Sequence, residues 1–415
     1  MSELPKSRYS LLVTFFVVVS PILDLYQVGP LTIGYGELFL IALCGITMII
    51  YAVRRTKLTL NEAPFSVLFA FYAVIELVLL MFQGNYNLGD LMVKWTKLVT
   101  CYLFFEVISK KEFNYEYAKK IVIPIGLALN VLLIIQFLLF HLFGIGILPY
   151  LFNIPNNYVD SDLLQTIYKT YIARGTWRPS AIFFEPAQYA QFMLIPTTMM
   201  IYDDDNNRKS IALALFFSLG IALSGSANGV LIAVIVWGNW LLKKIRKIRA
   251  DRLVILFLAS ISILYFAIQK GILSAAWNRV MSIDLKGAGT TGNQRLIQGL
   301  AVFSRVPLHN KIFGTGVGNL RYILVTHNIV TPYVGELGNE YMNGFSTVLV
   351  TCGLIFFFVY AILWIRWYRR LKNPIDRGLA VVLSLLFCTS SIFYHPITIL
   401  YFTIISCRKV SKHEC

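Results

Sequence analysis

Apolar residues come in runs of about twenty in this chain, the length that crosses the hydrocarbon core of a bilayer as a helix. A soluble fold would show alternation or an amphipathic stripe instead. The runs fall near 10–28, 36–53, 63–82, 91–109, 121–143, 181–202, 210–223, 229–242, 253–270, 344–365, 378–393 and 396–407. Only 14% of the residues are charged, against about 25% in soluble proteins. These features exclude a soluble globular enzyme. They predict an all-α polytopic membrane protein, one integral membrane domain over 1–415 with about twelve transmembrane helices. The 210–242 pair and the last two runs are short, so eleven spans is the alternative count. The break at Ser224-Gly225-Ser226-Ala227-Asn228-Gly229 is either an outside turn or an interruption within the membrane.

The net charge of +16 would raise nucleic acid as a partner for a soluble chain. Here the excess sits in short clusters between apolar runs, where Lys and Arg orient helices by staying in the cytoplasm. No nucleic-acid binding is expected. With Lys6 and Arg8 inside, alternation places 25 of the 37 Lys and Arg residues in the cytoplasm and 10 outside, with Lys94 and Lys97 inside a span. Both termini are then cytoplasmic. The basic run at 243–252 is a topology determinant first and a contact for anionic lipid second. The acidic stretch at 203–209 resembles a metal-binding cluster but is expected most simply to be a solvated turn. The six cysteines lie in or beside apolar runs or at the tail, without CxxC spacing, so neither a disulfide framework nor a zinc site is expected. The first apolar run has no A-x-A-like cleavage site and is expected to be a retained span.

Two connections are too long to be simple turns, 144–180 and 271–343, and both fall on the extracytoplasmic side. Long loops positioned by a packed bundle are where sites tend to lie. The first carries Arg174 and ends in Arg178-Pro179-Ser180, followed by Glu185-Pro186. Pro179 suits the first turn of a helix. Glu185 would then lie two turns deeper than Arg178 on nearly the same face. It forms either an internal salt bridge or the polar wall of a substrate cavity. In the second loop Arg279, Arg295, Arg305 and Arg321 outnumber the acids Asp284, Glu336 and Glu340. Guanidinium groups clamp phosphate bidentately, so a diphosphate is a plausible ligand, although arginines on a solvated loop can equally be surface residues. Gly314-Thr315-Gly316-Val317-Gly318-Asn319 lacks the lysine and strand context of a phosphate cradle and is expected to be a turn that lets backbone approach a ligand. His327-Asn328 combines a general-base candidate with an amide that could hold it or a sugar hydroxyl. His141, His309 and His395 have weaker cases, each lacking a convergent polar neighbourhood in the sequence.

Taken in order, Arg178-Pro179-Ser180-x4-Glu185-Pro186, Leu223-Ser224-Gly225-Ser226, Asn293-x-Arg295, Gly314-Thr315-Gly316-Val317-Gly318 and His327-Asn328-x9-Gly338-Asn339-Glu340-Tyr341 resemble the bacterial O-antigen, capsule and exopolysaccharide repeat-unit polymerases and their relatives, the O-antigen ligases. The resemblance covers roughly 174–365. It implies an arrangement similar to the C-type glycosyltransferase fold, and a glycosyltransferase of the bacterial cytoplasmic membrane that joins undecaprenyl-diphosphate-linked glycans, with no cofactor and no metal. Carried onto this chain, Arg178 and Arg295 would neutralise the departing diphosphate and His327 would take the acceptor's proton. Arg174, Glu185, Arg279, Arg321 and Asn328 would bind substrate. The implied partners are the lipid-linked glycans, the bilayer, a chain-length regulator and a flippase. Relatives often have Ser-Arg where this chain has Ser226-Ala227. A ligase of the same fold and a lipid-linked oligosaccharide flippase or transporter are the alternative readings.

Overall fold

The computed structural model describes residues 8–26, 33–56, 62–83, 88–147, 161–175, 177–203, 208–245, 295–331 and 337–407. In chain order its helices are α1 (Arg8–Leu23), α2 (Tyr35–Val53), α3 (Pro64–Gln83), α4 (Leu88–Leu103), α5 (Ser109–Glu112), α6 (Tyr115–Phe143), α7 (Ser161–Ala173), α8 (Pro186–Ile201), α9 (Arg208–Leu223), α10 (Ala227–Ile245), α11 (Gln298–Arg305), α12 (Leu308–Phe313), α13 (Leu320–Thr326), α14 (Gly344–Arg370), α15 (Pro374–Thr389) and α16 (Pro396–Cys407). A π-helical turn, Phe104–Ile108, joins α4 to α5. Every predicted apolar run except 253–270, which lies outside the described residues, contains one of these helices. Among the described residues four helices, α2, α3, α6 and α14, are long and apolar enough to cross a membrane, and α1 and α16 are shorter apolar helices. The described chain is all-helical, one of the two architectures that satisfy every backbone polar group within a bilayer.

The chain forms two compact units. The first comprises Met1–Asp24, Leu31–Ala118 and Ile283–Cys415, and the second Leu25–Pro30 and Lys119–Ser282.

The first unit is built around aromatic side chains. Phe65 and Phe69 of α3 meet Tyr102 of α4, and Phe105 stacks on Phe402 of α16 with ring centroids 4.0 Å apart. The tight end of α3 explains the π turn. Its first backbone N–H groups have no partner inside the helix, and Glu106, bulged inward by the extra π residue, accepts from Phe65 N at 2.8 Å, from Ser66 N at 2.7 Å and from Ser66 Oγ at 2.7 Å. A carboxylate at a helix N-terminus also meets the favourable end of the dipole.

The second predicted long loop folds in its described part into α11, α12 and α13. Val302, Val306, Leu320, Ile323, Leu324 and Ile329 form a small core with Met342 and with Val350 of α14. This helical region carries Arg295, Arg305, Arg321 and His327.

α14 is not the continuous span expected from hydropathy. At Gly353 the backbone leaves the helix, with φ of 81° and ψ of 173°. The break releases carbonyls that a lipid could not satisfy. Thr315 N donates to Val350 O at 3.0 Å, Gly316 N to Thr351 O at 2.9 Å, and the Tyr72 hydroxyl to Thr351 O. The glycine turn therefore approaches helix backbone rather than open solvent. Gly314, at φ of 93°, and Gly353 face each other so closely that a Cβ on either would collide with the other strand of this contact.

In the second unit α8 is buried along almost its whole length. Asn130 of α6 ties the helices around it: its Nδ2 donates to Phe216 O at 2.9 Å, and its Oδ1 accepts from the Tyr189 hydroxyl at 2.6 Å. α9 and α10 are joined by a tight turn at Ser224-Gly225-Ser226. Asp203, assigned by sequence to a solvated turn, is instead half-buried, 3.0 Å from Lys119 Nζ, and accepts from Ser210 Oγ at 3.0 Å.

Candidate functional site at the helix ends

The segment 177–185 is not the start of a helix. α8 opens at Pro186, with Glu185 as its extended N-cap residue and exposed. The expectation that Pro179 starts a span and that Glu185 lies two turns inside it is therefore corrected. Hydropathy registered five apolar or small residues after Pro179, but these bury themselves as a loop. Gln136 of α6 makes this feasible by pairing with backbone as a strand would: Ala181 N donates to Gln136 Oε1 at 2.9 Å, and Gln136 Nε2 donates to Ala181 O at 2.8 Å. Tyr168 of α7 donates to Phe184 O at 2.6 Å, and buried Trp177 packs beside Phe140, Ile172 and Tyr168. Arg178, half-buried on this held loop, donates from Nη1 to Gly225 O at 3.1 Å. Two motif segments that lie 47 residues apart in sequence thus meet at the α9–α10 turn. Arg174 is exposed just beyond the end of α7.

In the first unit Arg295 is half-buried ahead of α11, and its carbonyl accepts from Asn343 Nδ2 at 2.8 Å. Asn343 in turn caps α14 by accepting from Ser346 N at 2.9 Å. Arg321 is exposed in the first turn of α13, and its backbone N–H donates to Glu340 Oε1 at 2.9 Å. Glu340 also takes both oxygens to Lys94 Nζ, at 2.8 and 2.7 Å. Arg305 is exposed and donates from Nη1 to Val330 O.

His327 ends α13 and is exposed. Asn328 follows with φ of 50°, Asn328 N donates to Val325 O at 3.1 Å, and Ile329 N donates to Leu324 O at 2.8 Å. That pair of bonds, with Ile329 packed against Leu324, is a Schellman helix end. The fold therefore gives Asn328 a conformational task of its own, because Asn tolerates the left-handed region better than most residues. Arg295, Arg321, His327 and Asn328 all belong to the helical region of the first unit, whereas Arg174, Arg178 and Glu185 belong to the second. Arg279 lies outside the described residues.

Sequence reading missed three groups of residues. Glu76, buried in α3, accepts from Gly318 N at 3.1 Å, from Val317 N, and from Trp95 Nε1 at 2.9 Å, and so fixes the glycine turn that leads into α13. Lys94 and Lys97, placed by sequence within a span, are ion-paired to Glu340 and Glu37. His395, which showed no polar neighbourhood along the chain, lies 2.9 Å from the buried Asp24 carboxylate. Burial by itself would lower the proton affinity of this imidazole. Asp24 first, then Glu37, more than compensate and hold its pKa above the ordinary histidine value. The one local signal was charge inside an apolar run, which marks a functional or paired residue by default.

Among the described residues no group of three or more His, Cys, Asp or Glu side chains is placed to hold a metal ion. Compared with known proteins, the chain matches no family model and no curated relative.

Proposed function

We propose that the protein polymerises undecaprenyl-diphosphate-linked oligosaccharide repeat units into a surface polysaccharide at the outer face of the bacterial cytoplasmic membrane. The observation that carries this reading is the ordered set of motifs, two of which the fold brings into direct contact at Arg178 and Gly225. This chain has Ala227 where members of the family it resembles often carry an arginine, and the Arg178 guanidinium reaches the same turn.

In the proposed reaction a hydroxyl of one lipid-linked unit attacks C1 of the sugar that joins the growing chain to its diphosphate. The C1–oxygen bond breaks, the chain moves to the acceptor with inversion, and undecaprenyl diphosphate leaves. Negative charge grows on the leaving oxygen, so arginines fixed beforehand stabilise the transition state more than the intact donor. Arg178 and Arg295 take that role and His327 accepts the hydroxyl proton. Both lipid tails lie in one bilayer plane, which shortens the search for productive geometry.

Side-chain pairing at the helix ends supports the twelve-span alternation with cytoplasmic termini. Asp24 with His395, Glu37 with Lys97 and Lys94 with Glu340 join span halves or connections that the alternation places toward the outside. Ser10 with Glu112, Tyr51 with Glu112 and Lys119 with Asp203 are segments that it places inside. The charged pairs of the first unit collect at such ends, whereas a flippase would need cations along the depth of a central cavity.

Lipid-linked glycan analysis of a deletion strain tests the reading. Single repeat units accumulating on the outer face are expected. Units retained on the cytoplasmic face would point to a flippase, and long polymer left unattached would point to a ligase.

A further inference from the structure

Four titratable side chains from four segments of the first unit lie together at one end of its bundle, Asp24 and Glu37 buried and Lys97 and His395 half-buried. Asp24 follows α1, Glu37 lies in the first turn of α2, Lys97 is in α4, and His395 is in the turn that opens α16. His395 Nε2 is 2.9 Å from Asp24 Oδ2, and Lys97 Nζ is 2.6 Å from Glu37 Oε2. The side chains of Asp24 and Glu37 are 3% and 8% exposed. The adjoining Lys94 and Glu340 neutralise each other. α15, which packs on α16, carries its charges Asp376 and Arg377 at its far, N-terminal end and ends in uncharged residues beside the cluster.

The charge count is uneven without a proton. Two carboxylates and one ammonium leave one buried negative charge, and an uncompensated buried charge is strongly unfavourable. A proton on the imidazole closes the balance, and imidazole is the group best suited to hold it near neutral pH. The other ring nitrogen, Nδ1, faces Ile397 N at 3.4 Å, a contact long enough to be given up readily. Asp24 Oδ1 is buried with no hydrogen-bond partner among the described residues and lies against Gly34, where any Cβ would collide with it. Asp24 therefore keeps unused acceptor capacity inside the cluster.

We propose that Asp24, Glu37, Lys97 and His395 form a binding site for one proton, carried on His395, and that the bound proton ties together the ends of α1, α2, α4 and α16. The site uses none of Arg178, Arg295 and His327, so it stands whether or not the chain is a polymerase. Intramembrane or membrane-end clusters of this kind are where proton-linked behaviour arises in helical membrane proteins.

The test is a titration of the full-length protein in detergent, with histidine labelled for NMR. The chain has five histidines, so a variant with His141, His309, His327 and His413 each changed to Gln leaves His395 as the sole reporter. Its imidazole is expected to hold its proton at least tenfold more tightly than a free histidine, whose pKa is about 6.5. Asp24→Asn should loosen that proton by at least tenfold. A His395 that titrates at or below the free value overturns the proposal. So does an Asp24→Asn protein with an unmoved midpoint. Should Asp24→Asn fail to fold, the reporter variant alone decides the question.

Discussion

Replacing Glu76 with Ala should loosen the glycine turn and everything it holds. The carboxylate is about 1% exposed and accepts from two buried backbone donors, Gly318 N and Val317 N, and from the half-buried Trp95 Nε1. Each buried donor left without an acceptor costs about 1–3 kcal/mol. Part of that is offset because the carboxylate itself no longer has to be kept out of water. A net loss of about 3–5 kcal/mol follows, within the range for breaking a buried charged contact. Trp95→Phe removes only one of the three donors and should cost about 1 kcal/mol. Denaturant titration in mixed micelles, followed by far-UV circular dichroism, reads both values. Glu76→Ala no more damaging than Trp95→Phe would mean that the backbone donors of the turn are satisfied by something other than Glu76. The consequence reaches function because this turn leads directly into α13, which carries Arg321 and ends at His327.

Other changes separate structural from chemical roles. Gln136→Leu strands the N–H and carbonyl of Ala181 and should lower stability by about 2–4 kcal/mol, measured by thermal melting, with the Arg178 loop becoming susceptible to protease. Asn328→Gly should stay within about 0.5 kcal/mol of the parent and Asn328→Val should lose about 1–2 kcal/mol, since the position needs left-handed backbone. Loss of polymer from the well-folded glycine variant would assign Asn328 to substrate as well. The Asp24–His395 pair should stabilise the fold fully below about pH 6.5, and that contribution should fade as pH rises through the higher folded-state value. Melting temperature followed across that range should show a fall that is absent from His395→Gln. Arg178→Ala and Arg178→Lys should both abolish polymer while insertion stays normal, because an ammonium cannot reproduce a bidentate clamp. Activity in the lysine variant would mean that charge alone suffices.

Hydropathy located helices well because a spanning segment must be apolar over its whole length, whatever it packs against. It erred where apolar residues are buried without being helical. The 181–185 segment reads like the opening of a span, yet it is a loop held by a glutamine 45 residues away, a partner that no local pattern can reveal. The break at Gly353 was equally hidden. A glycine within an apolar run is common, and only the glycine turn on another segment makes leaving the helix tolerable. The arginines of the helical region and His327 could be picked out by residue type. The Asp24–His395 pair could not, since its members are separated by almost the full length of the chain and meet only after the bundle forms.

One reconstitution tests the proposed reaction most directly. The purified protein in lipid vesicles, supplied with a defined undecaprenyl-diphosphate-linked repeat unit, should yield a ladder of lipid-linked polymers and release undecaprenyl diphosphate, and the Arg178→Ala, Arg295→Ala and His327→Ala proteins should yield neither. Wild-type protein that moves the lipid-linked unit across the bilayer without joining two of them, or a His327→Ala protein that produces the full ladder, would contradict it.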